Sequence, residues 1–207
     1  MIISSVRFLA RQGLALRGDG SASANLIQLL QLRAEDKPEM VQWLDRSIRK
    51  HTAPDNQNEM LEIMAHCVLR KILEDIHHSP FLEVMVDETT DKSNKEQLTL
   101  VVRWVSSDFR ISEEFLGLYC LSTTDAQSIV DVMKDAFLRF QIPWAKLRGQ
   151  CYDGCNTMAG AKAGVAVKIE ELEPRAVFTH CFGHTFNLGV SDTIKHSAAM
   201  KDCLDTF

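Results

Sequence analysis

Two short stretches in this chain that could form strands each lead directly into an aspartate. Residues 81–86 (FLEVMV) precede Asp87, and residues 147–152 (LRGQCY) precede Asp153 and a glycine. Short apolar runs with β-branched residues are typical of buried strands, and α/β sheets place their chemistry where strands end. Two carboxylates at the ends of two strands could share a divalent cation, because hard cations prefer carboxylate oxygens.

Sulfur and imidazole groups form a second candidate set. Cys181 and His184 are spaced Cys-x2-His, and Cys151 and Cys155 are spaced Cys-x3-Cys. Three sulfurs and one imidazole are a ligand set that zinc accepts. The spacing of these four residues is loose. Side chains also alternate along a strand, so Cys151 points away from Tyr152. We therefore do not expect a structural zinc. We expect Cys181 and His184 at a strand-to-helix junction, without Cys151 and Cys155; a buried thiol and a core histidine are the alternative for this pair.

The first part of the chain has the periodicity of helices. Within residues 1–78, apolar residues recur at helical spacing, which predicts helices over residues 2–14, 26–32, 38–48 and 58–77. Ser21 or Ser23 could cap the second helix, and Pro38 suits the start of the third. Residues 51–58 are polar and contain a proline, which predicts a linker.

From residue 79 onward the pattern changes to strands separated by short polar turns. Strands are predicted over residues 81–86, 97–105, 114–121, 147–152 and 176–180. Thr123, Thr124 or Asp125 could cap a helix after the third strand, and single helices are predicted over residues 157–172 and from Phe182. This order predicts an α/β fold, in which a three-stranded antiparallel meander is extended by parallel strands. Residues 1–78 and 79–207 are therefore predicted to be separate parts.

Composition and charge exclude several classes of protein. The chain has 207 residues, of which 45% are hydrophobic and 25% charged, as in ordinary globular proteins. It has no apolar stretch long enough for a membrane span, and six cysteines predict reduced thiols rather than a disulfide framework. Counting Lys and Arg against Asp and Glu, residues 1–50 carry a net charge of +3 and residues 51–207 a net charge of −8. Any contact of the acidic part with DNA is therefore expected to be local or to depend on other parts.

Three motifs together resemble the hAT family of DDE transposases. They are residues 87–91 (DETTD), 153–160 (DGCNTMAG) and 181–188 (CFGHTFNL), and their order and separation fit that family. Residues 8–18 (FLARQGLALRG) resemble the helical region that precedes the catalytic core in domesticated relatives, such as zinc-finger MYM-type and DUF4371-like proteins. The resemblance implies a ribonuclease H-like fold for residues 79–207 and a nuclear location.

The resemblance also implies roles for individual residues. Asp87 and Asp153 match the first and second catalytic aspartates, which hold Mg²⁺ or Mn²⁺ for DNA strand cleavage and transfer. Cys181 and His184 match the family's Cys-x-x-His pair, which supports the site. DNA and a second copy of the chain are the implied partners, both contacted largely through regions outside these residues. The family's third acid, a glutamate, follows a helical insertion that these 207 residues do not reach. We therefore expect an incomplete core that is inactive on its own.

Simpler interpretations exist for the same residues. Asp87 and Asp153 could be turn-forming residues, since Asp-Gly is a common turn pair. Glu88 and Asp91 are expected to be solvated turn residues rather than ligands. A second hypothesis for function is a non-catalytic, domesticated transposase that acts as a nuclear DNA or protein interaction module, because a fold alone does not establish activity.

Overall fold

The chain forms two compact units, Met1–Lys71 and Ile72–Phe207. The computed structural model describes residues 1–17, 23–46 and 50–196. The division between the units falls inside a long helix. The sequence predicted domains of residues 1–78 and 79–207, and that division stays a prediction.

The first unit is helical. Its elements are α1 (Ile2–Arg11), α2 (Asn25–Ala34), α3 (Pro38–Leu44) and most of α4 (Pro54–His78). Amphipathic spacing lets α1 to α3 bury one apolar cluster, which consists of Val6, Leu9, Leu26, Leu30, Ala34 and Met40. Arg33 links α2 to α1, because its Nη1 donates to Ser4 Oγ at 2.9 Å and to Ser5 Oγ at 2.8 Å. No helix in the described ranges is both long and apolar enough to cross a membrane.

Helix starts in this unit differ in part from the sequence predictions. Pro38 occupies the first turn of α3, as predicted. The N-cap of α2 is Ala24, which makes no side-chain cap, so the prediction of Ser23 is wrong, and Ser21 lies outside the described residues. Helix α4 begins at Pro54 rather than near residue 58. Proline is well suited to a first helical turn, and this one shortens the predicted linker.

The second unit contains a five-stranded mixed sheet. Its strands are β1 (Leu82–Thr90), β2 (Glu96–Val105), β3 (Ile111–Cys120), β4 (Leu147–Tyr152) and β5 (Val177–His180). Their spatial order is β3-β2-β1-β4-β5. The first three strands form an antiparallel meander, whereas β4 pairs parallel with β1 and β5 pairs parallel with β4. The predicted α/β fold, with an antiparallel meander extended by parallel strands, is therefore confirmed.

Helices cover one face of this sheet. They include α5 (Ala126–Arg139) and α7 (Val165–Leu172), and Asp125 Oδ1 caps α5 by accepting from two backbone N–H groups at 3.0 Å. Gln150 on β4 donates through Nε2 to the Ala166 carbonyl at 3.1 Å, which places α7 over this face. Alternate sheet residues on the same face are fully or almost fully buried, and these are Val84, Val86, Leu98, Leu100 and Val102.

The single helix predicted over residues 157–172 is wrong. The segment forms two helices, α6 (Asn156–Ala159) and α7, with a tight turn between them. A Cβ on Gly160 would lie 2.3 Å from the Asn156 carbonyl oxygen, and one on Gly164 would lie 2.6 Å from the Gly160 nitrogen. These contacts are with backbone, which cannot rotate away as a side chain can. The close approach therefore requires glycine at both positions.

The first testable prediction concerns this turn. Gly164→Ala should lower the free energy of unfolding by about 1–3 kcal/mol, because the new methyl group overlaps backbone atoms. Gly189→Ala is the matched control, since Gly189 lies in α8 (Phe182–Lys195) and its Cβ would meet nothing within 4 Å. The control should be neutral or stabilising by up to about 1 kcal/mol, because alanine is the better helix former. Urea denaturation measures both values, and equal effects would contradict the packing argument.

Candidate functional site

The parallel pairing of β1 with β4 brings Asp87 and Asp153 next to each other where β4 ends. This end of the parallel strands is called the sheet edge. Met85 pairs with Cys151, so the positions two residues further along each strand are Asp87 and Asp153. Neighbouring strands lie about 4.8 Å apart, and residues two apart on a strand share a face. Asp87 is exposed and Asp153 is partly exposed. The predicted neighbouring strands are confirmed, and both carboxyl groups are open to solvent.

Electrostatic effects on two neighbours support this proximity. Burial raises the pKa of Glu88, and the nearby carboxylates of Asp153, Glu96 and Asp87 raise it further. The Glu88 Oε1 atom is buried and has no hydrogen-bond partner among the described residues. The pKa of His184 is raised first by the Cys181 side chain, with Asp87 and Asp153 also contributing. Both aspartates therefore raise the pKa values of the same two neighbours, and their negative charge favours a cation there.

The strand that carries Asp87 is longer than the sequence predicted. Strand β1 continues to Thr90, which pairs with Glu96 on β2, so Asp87 lies within a strand rather than at its end. Glu88 consequently points to the opposite face and is not a solvated turn residue, which corrects the prediction. Asp91 is a turn residue, as predicted. Its Oδ1 accepts from the Ser93 N–H and Oγ–H, both at 2.7 Å, and with the Lys95 N–H these bonds lower its pKa to about 2.

Cys181 and His184 lie at the junction between β5 and α8. Cys181 is the N-cap residue of α8, and its N–H donates to the Tyr152 carbonyl at 2.8 Å, which ties the junction to the end of β4. The backbone N–H of His184, followed by its imidazole, lowers the pKa of the Cys181 thiol. His184 Nδ1 is buried without a hydrogen-bond partner in the described part of the chain. The pair is therefore a polarised thiol and imidazole beside the two aspartates.

Cys151 lies closer to this pair than the sequence predicted. Burial raises the pKa of Cys151 to about 11, and the neighbouring Cys181 thiol contributes to the shift. Because Cys151 pairs with Thr179, two positions before Cys181, both thiols lie on one sheet face. The expectation that Cys151 stays away from Cys181 is therefore wrong. The reason is the parallel register of β4 and β5, which local spacing does not reveal.

One residue that sequence reasoning missed is His180. A Cβ on Gly154 would lie 2.8 Å from His180 Cε1 and 2.9 Å from its Nε2, so the imidazole packs on the turn that follows Asp153. His180 Nε2 is buried and unpartnered among the described residues. The signal for His180 is its pairing with Tyr152, and that signal can be used only once the pairing of β4 with β5 is known. His180 thus helps to position the turn that carries Asp153.

The metal-binding capacity of the site is limited. Within residues 1–17, 23–46 and 50–196, no group of three or more His, Cys, Asp or Glu side chains is arranged to hold a metal ion. Two carboxylates at one sheet edge fit a hard cation that keeps most of its waters, as Mg²⁺ does. A tetrahedral zinc site needs four converging ligands.

Comparison with known proteins identifies the family. A family model described as "DUF4371: ZMYM1/FAM200, RNase-like domain" matches residues 1–164. The chain belongs to this family. Its five-stranded mixed sheet with helices is consistent with the ribonuclease H-like fold that the family description implies. The predicted DUF4371-like kinship and fold class are therefore confirmed.

Two relatives are similar over part of this DUF4371 chain. The human "52 kDa repressor of the inhibitor of the protein kinase" is 24% identical over 139 residues, which is 67% of this chain and 18% of that protein. The cattle "General transcription factor II-I repeat domain-containing protein 2" is 28% identical over 111 residues, which is 53% of this chain and 12% of that protein. The chain thus spans less than a fifth of either relative.

The second prediction concerns the Cys181–His184 pair. The lowered pKa of Cys181 means that its thiolate forms at lower pH than in an ordinary cysteine, so Cys181 should react with iodoacetamide near neutral pH. His184→Asn removes the imidazole and should slow alkylation of Cys181 at pH 7 about threefold, because less thiolate is present. Its rate profile should move to higher pH. Mass spectrometry of each cysteine peptide measures the rates. His196→Asn, at the other end of α8, is the control and should leave the profile unchanged.

Proposed function

We propose that the DUF4371 α/β unit descends from the catalytic core of a hAT-type DDE transposase and retains part of its metal site. The observation that carries the proposal is the parallel register of β1 and β4, which aligns Asp87 with Asp153. Two strand-borne carboxylates at one edge are the arrangement with which such enzymes bind divalent cations. Fold kinship alone would not support this function, because one fold hosts many activities.

Each residue at the edge has a role in this proposal. Asp87 and Asp153 would hold Mg²⁺ or Mn²⁺ through carboxylate oxygens. When bound, that ion supplies Lewis-acid activation for in-line phosphoryl transfer on DNA. Glu88 lies behind the aspartates on the opposite face. Burial is the largest cause of its raised pKa, and the repulsion from nearby carboxylates that adds to it would be relieved by a cation. Cys181 joins the α8 junction to the end of β4 and so supports the position of Asp153.

We further propose that residues 1–207 neither cleave nor join DNA by themselves. In the described residues no third ligand joins the two aspartates, and catalysis of phosphoryl transfer depends on metal ions held in place. Residues 51–207 carry a net charge of −8, which disfavours DNA binding at physiological salt. Productive contact with DNA would therefore require parts outside this chain.

A second candidate function is supported by the relatives' names. One is named as a repressor and the other as a transcription factor repeat protein. A non-catalytic regulator that acts in the nucleus would need the fold but not the metal site. Under this alternative, Asp87 and Asp153 serve only to shape the sheet edge.

The third prediction separates these two candidates. The chain should bind Mn²⁺ weakly, with a dissociation constant on the order of millimolar, because only two carboxylates contribute and the ion keeps most of its waters. Asp87→Asn and Asp153→Asn should each abolish this binding. Asp131→Asn, on the exposed surface of α5, is the matched control and should leave it intact. Electron paramagnetic resonance of free Mn²⁺ measures the binding. Equal binding by all four proteins would exclude the metal site.

The fourth prediction concerns DNA cleavage. Residues 1–207 should not nick supercoiled plasmid in the presence of Mn²⁺, since a site with two ligands stabilises the transition state poorly. The assay compares the chain with its Asp87→Ala form on agarose gels. Nicking that is present in the chain and lost in Asp87→Ala would overturn the proposed inactivity while supporting the role of Asp87. Nicking that persists in both would indicate a contaminating nuclease.

A further inference from the structure

The helical unit contains a groove that the proposed DNA chemistry does not use. It lies between α1 and α4 and is lined by Arg7, Ala10, Arg11, Leu61, Met64, Ala65, Cys67 and Val68. Leu61 and Met64 are partly buried and pack against the apolar cluster of the unit, so the floor of the groove is an edge of the core. Val68 is 60% exposed and extends this apolar floor towards solvent.

Two arginines on α1 give the groove a positive rim. Arg7 and Arg11 are four residues apart, so they lie on one side of the helix, and both are exposed. Neither makes an ion pair or hydrogen bond with another residue that the structure describes. Two other arginines of the unit are engaged, since Arg17 donates to Asn58 Oδ1 at 2.6 Å and Arg33 donates to two serines on α1. Residues 1–17 contain no acid, and none of the residues that line the groove is acidic.

The dimensions of the groove match a short helical segment. From Leu61 to Val68 the α4 wall rises over about 10 Å, at 1.5 Å per residue, which corresponds to two helical turns. An amphipathic helix places apolar side chains at i, i+4 and i+7 on one face, which spans the same length. Methionine in the floor, here Met64, suits such a partner because its flexible side chain adapts to different apolar groups.

We propose that this groove binds an acidic amphipathic helix of a partner protein. The apolar face of that helix packs on Leu61, Met64 and Val68, and its glutamates or aspartates pair with Arg7 and Arg11. The charge complementarity decides the class of partner. A nucleic acid would satisfy the arginines but would leave the apolar floor against phosphates and sugars, where burial brings no gain. The proposal does not depend on whether the sheet edge binds metal.

The fifth prediction tests the proposal with a designed peptide. The probe is a 16-residue, fluorescein-labelled helix with leucines at i, i+4 and i+7 and glutamates on both flanks. It should bind residues 1–207 with a dissociation constant on the order of tens of micromolar, as expected for a small interface. The same peptide with lysines for the glutamates should bind at least about tenfold more weakly, because it meets the arginines with like charge. Fluorescence anisotropy measures both.

Variants of the chain identify the surface. The double variant Arg7→Glu with Arg11→Glu should weaken binding of the acidic peptide about tenfold and should strengthen binding of the lysine peptide, since the charge of the rim changes sign. That reversal also shows that the variant is folded. Val68→Asp should weaken binding of the acidic peptide to a similar degree. Arg70→Glu and Ile63→Ser are the matched controls, because both residues are exposed on α4 and do not line the groove, and both should stay within about twofold of the original chain.

A chemical footprint gives an independent measurement. Cys67 lines the groove and is exposed, whereas Cys120 is exposed on β3, so bound peptide should slow the alkylation of Cys67 only. Equal affinity for the acidic and lysine peptides, or binding without protection of Cys67, would overturn the proposal. Absence of binding by either peptide at millimolar concentration would also overturn it. A 16-base-pair DNA duplex that competes with the peptide and depends on both arginines would assign the groove to nucleic acid instead.

Discussion

The structure of the candidate site depends on the parallel pairing of β1 with β4. These strands are central in the sheet, and their hydrogen-bond register determines which side chains meet at the edge. A shift of one residue would turn every side chain of β1 to the other face, because strand side chains alternate. Asp87 would then face the helices, and Val86 would face solvent. Burial of Val84 and Val86 therefore holds Asp87 on the open face.

Four carboxyl groups lie near one another at this edge. Asp87, Glu88, Glu96 and Asp153 lie close enough together that the pKa of Glu88 rises, with burial as the largest cause. Like charges at short range are unfavourable, and a buried carboxylate oxygen without a partner adds to the cost. Such an arrangement is stabilised by any bound cation.

The helical unit places its charges differently. Its engaged arginines connect segments of the unit, as Arg17 does between the segment that follows α1 and the start of α4. Arg7 and Arg11 connect nothing that the structure describes and border apolar surface. Contiguous exposed apolar surface is a feature of binding sites, and charge beside it contributes to the choice of partner. The chain therefore combines an acidic sheet edge and a basic, apolar groove, and we propose a different class of ligand for each.

Local features of the sequence were sufficient to predict most elements. Alternation and turn residues predicted all five strands. Pro38 and one of the three cap candidates, Asp125, marked helix starts, because each acts through the backbone of its own segment. The resemblance of three motifs also indicated the family, and the order of elements predicted the α/β class. Asp87 and Asp153 could be proposed as neighbours because parallel strands bring their carboxyl ends to one edge.

Other features were decided only by the tertiary structure. Pairing with β2 extends β1 past Asp87 and turns Glu88 inward, and pairing of β4 with β5 brings Cys151 beside Cys181. Close backbone contacts at Gly160 and Gly164 divide a segment whose periodicity indicated one helix. In each case the deciding partner is distant in sequence or lies in a turn whose geometry periodicity does not encode. The helical pattern could show which residues of α1 and α4 are apolar. Only packing determined that Arg7 and Arg11 would border an open groove.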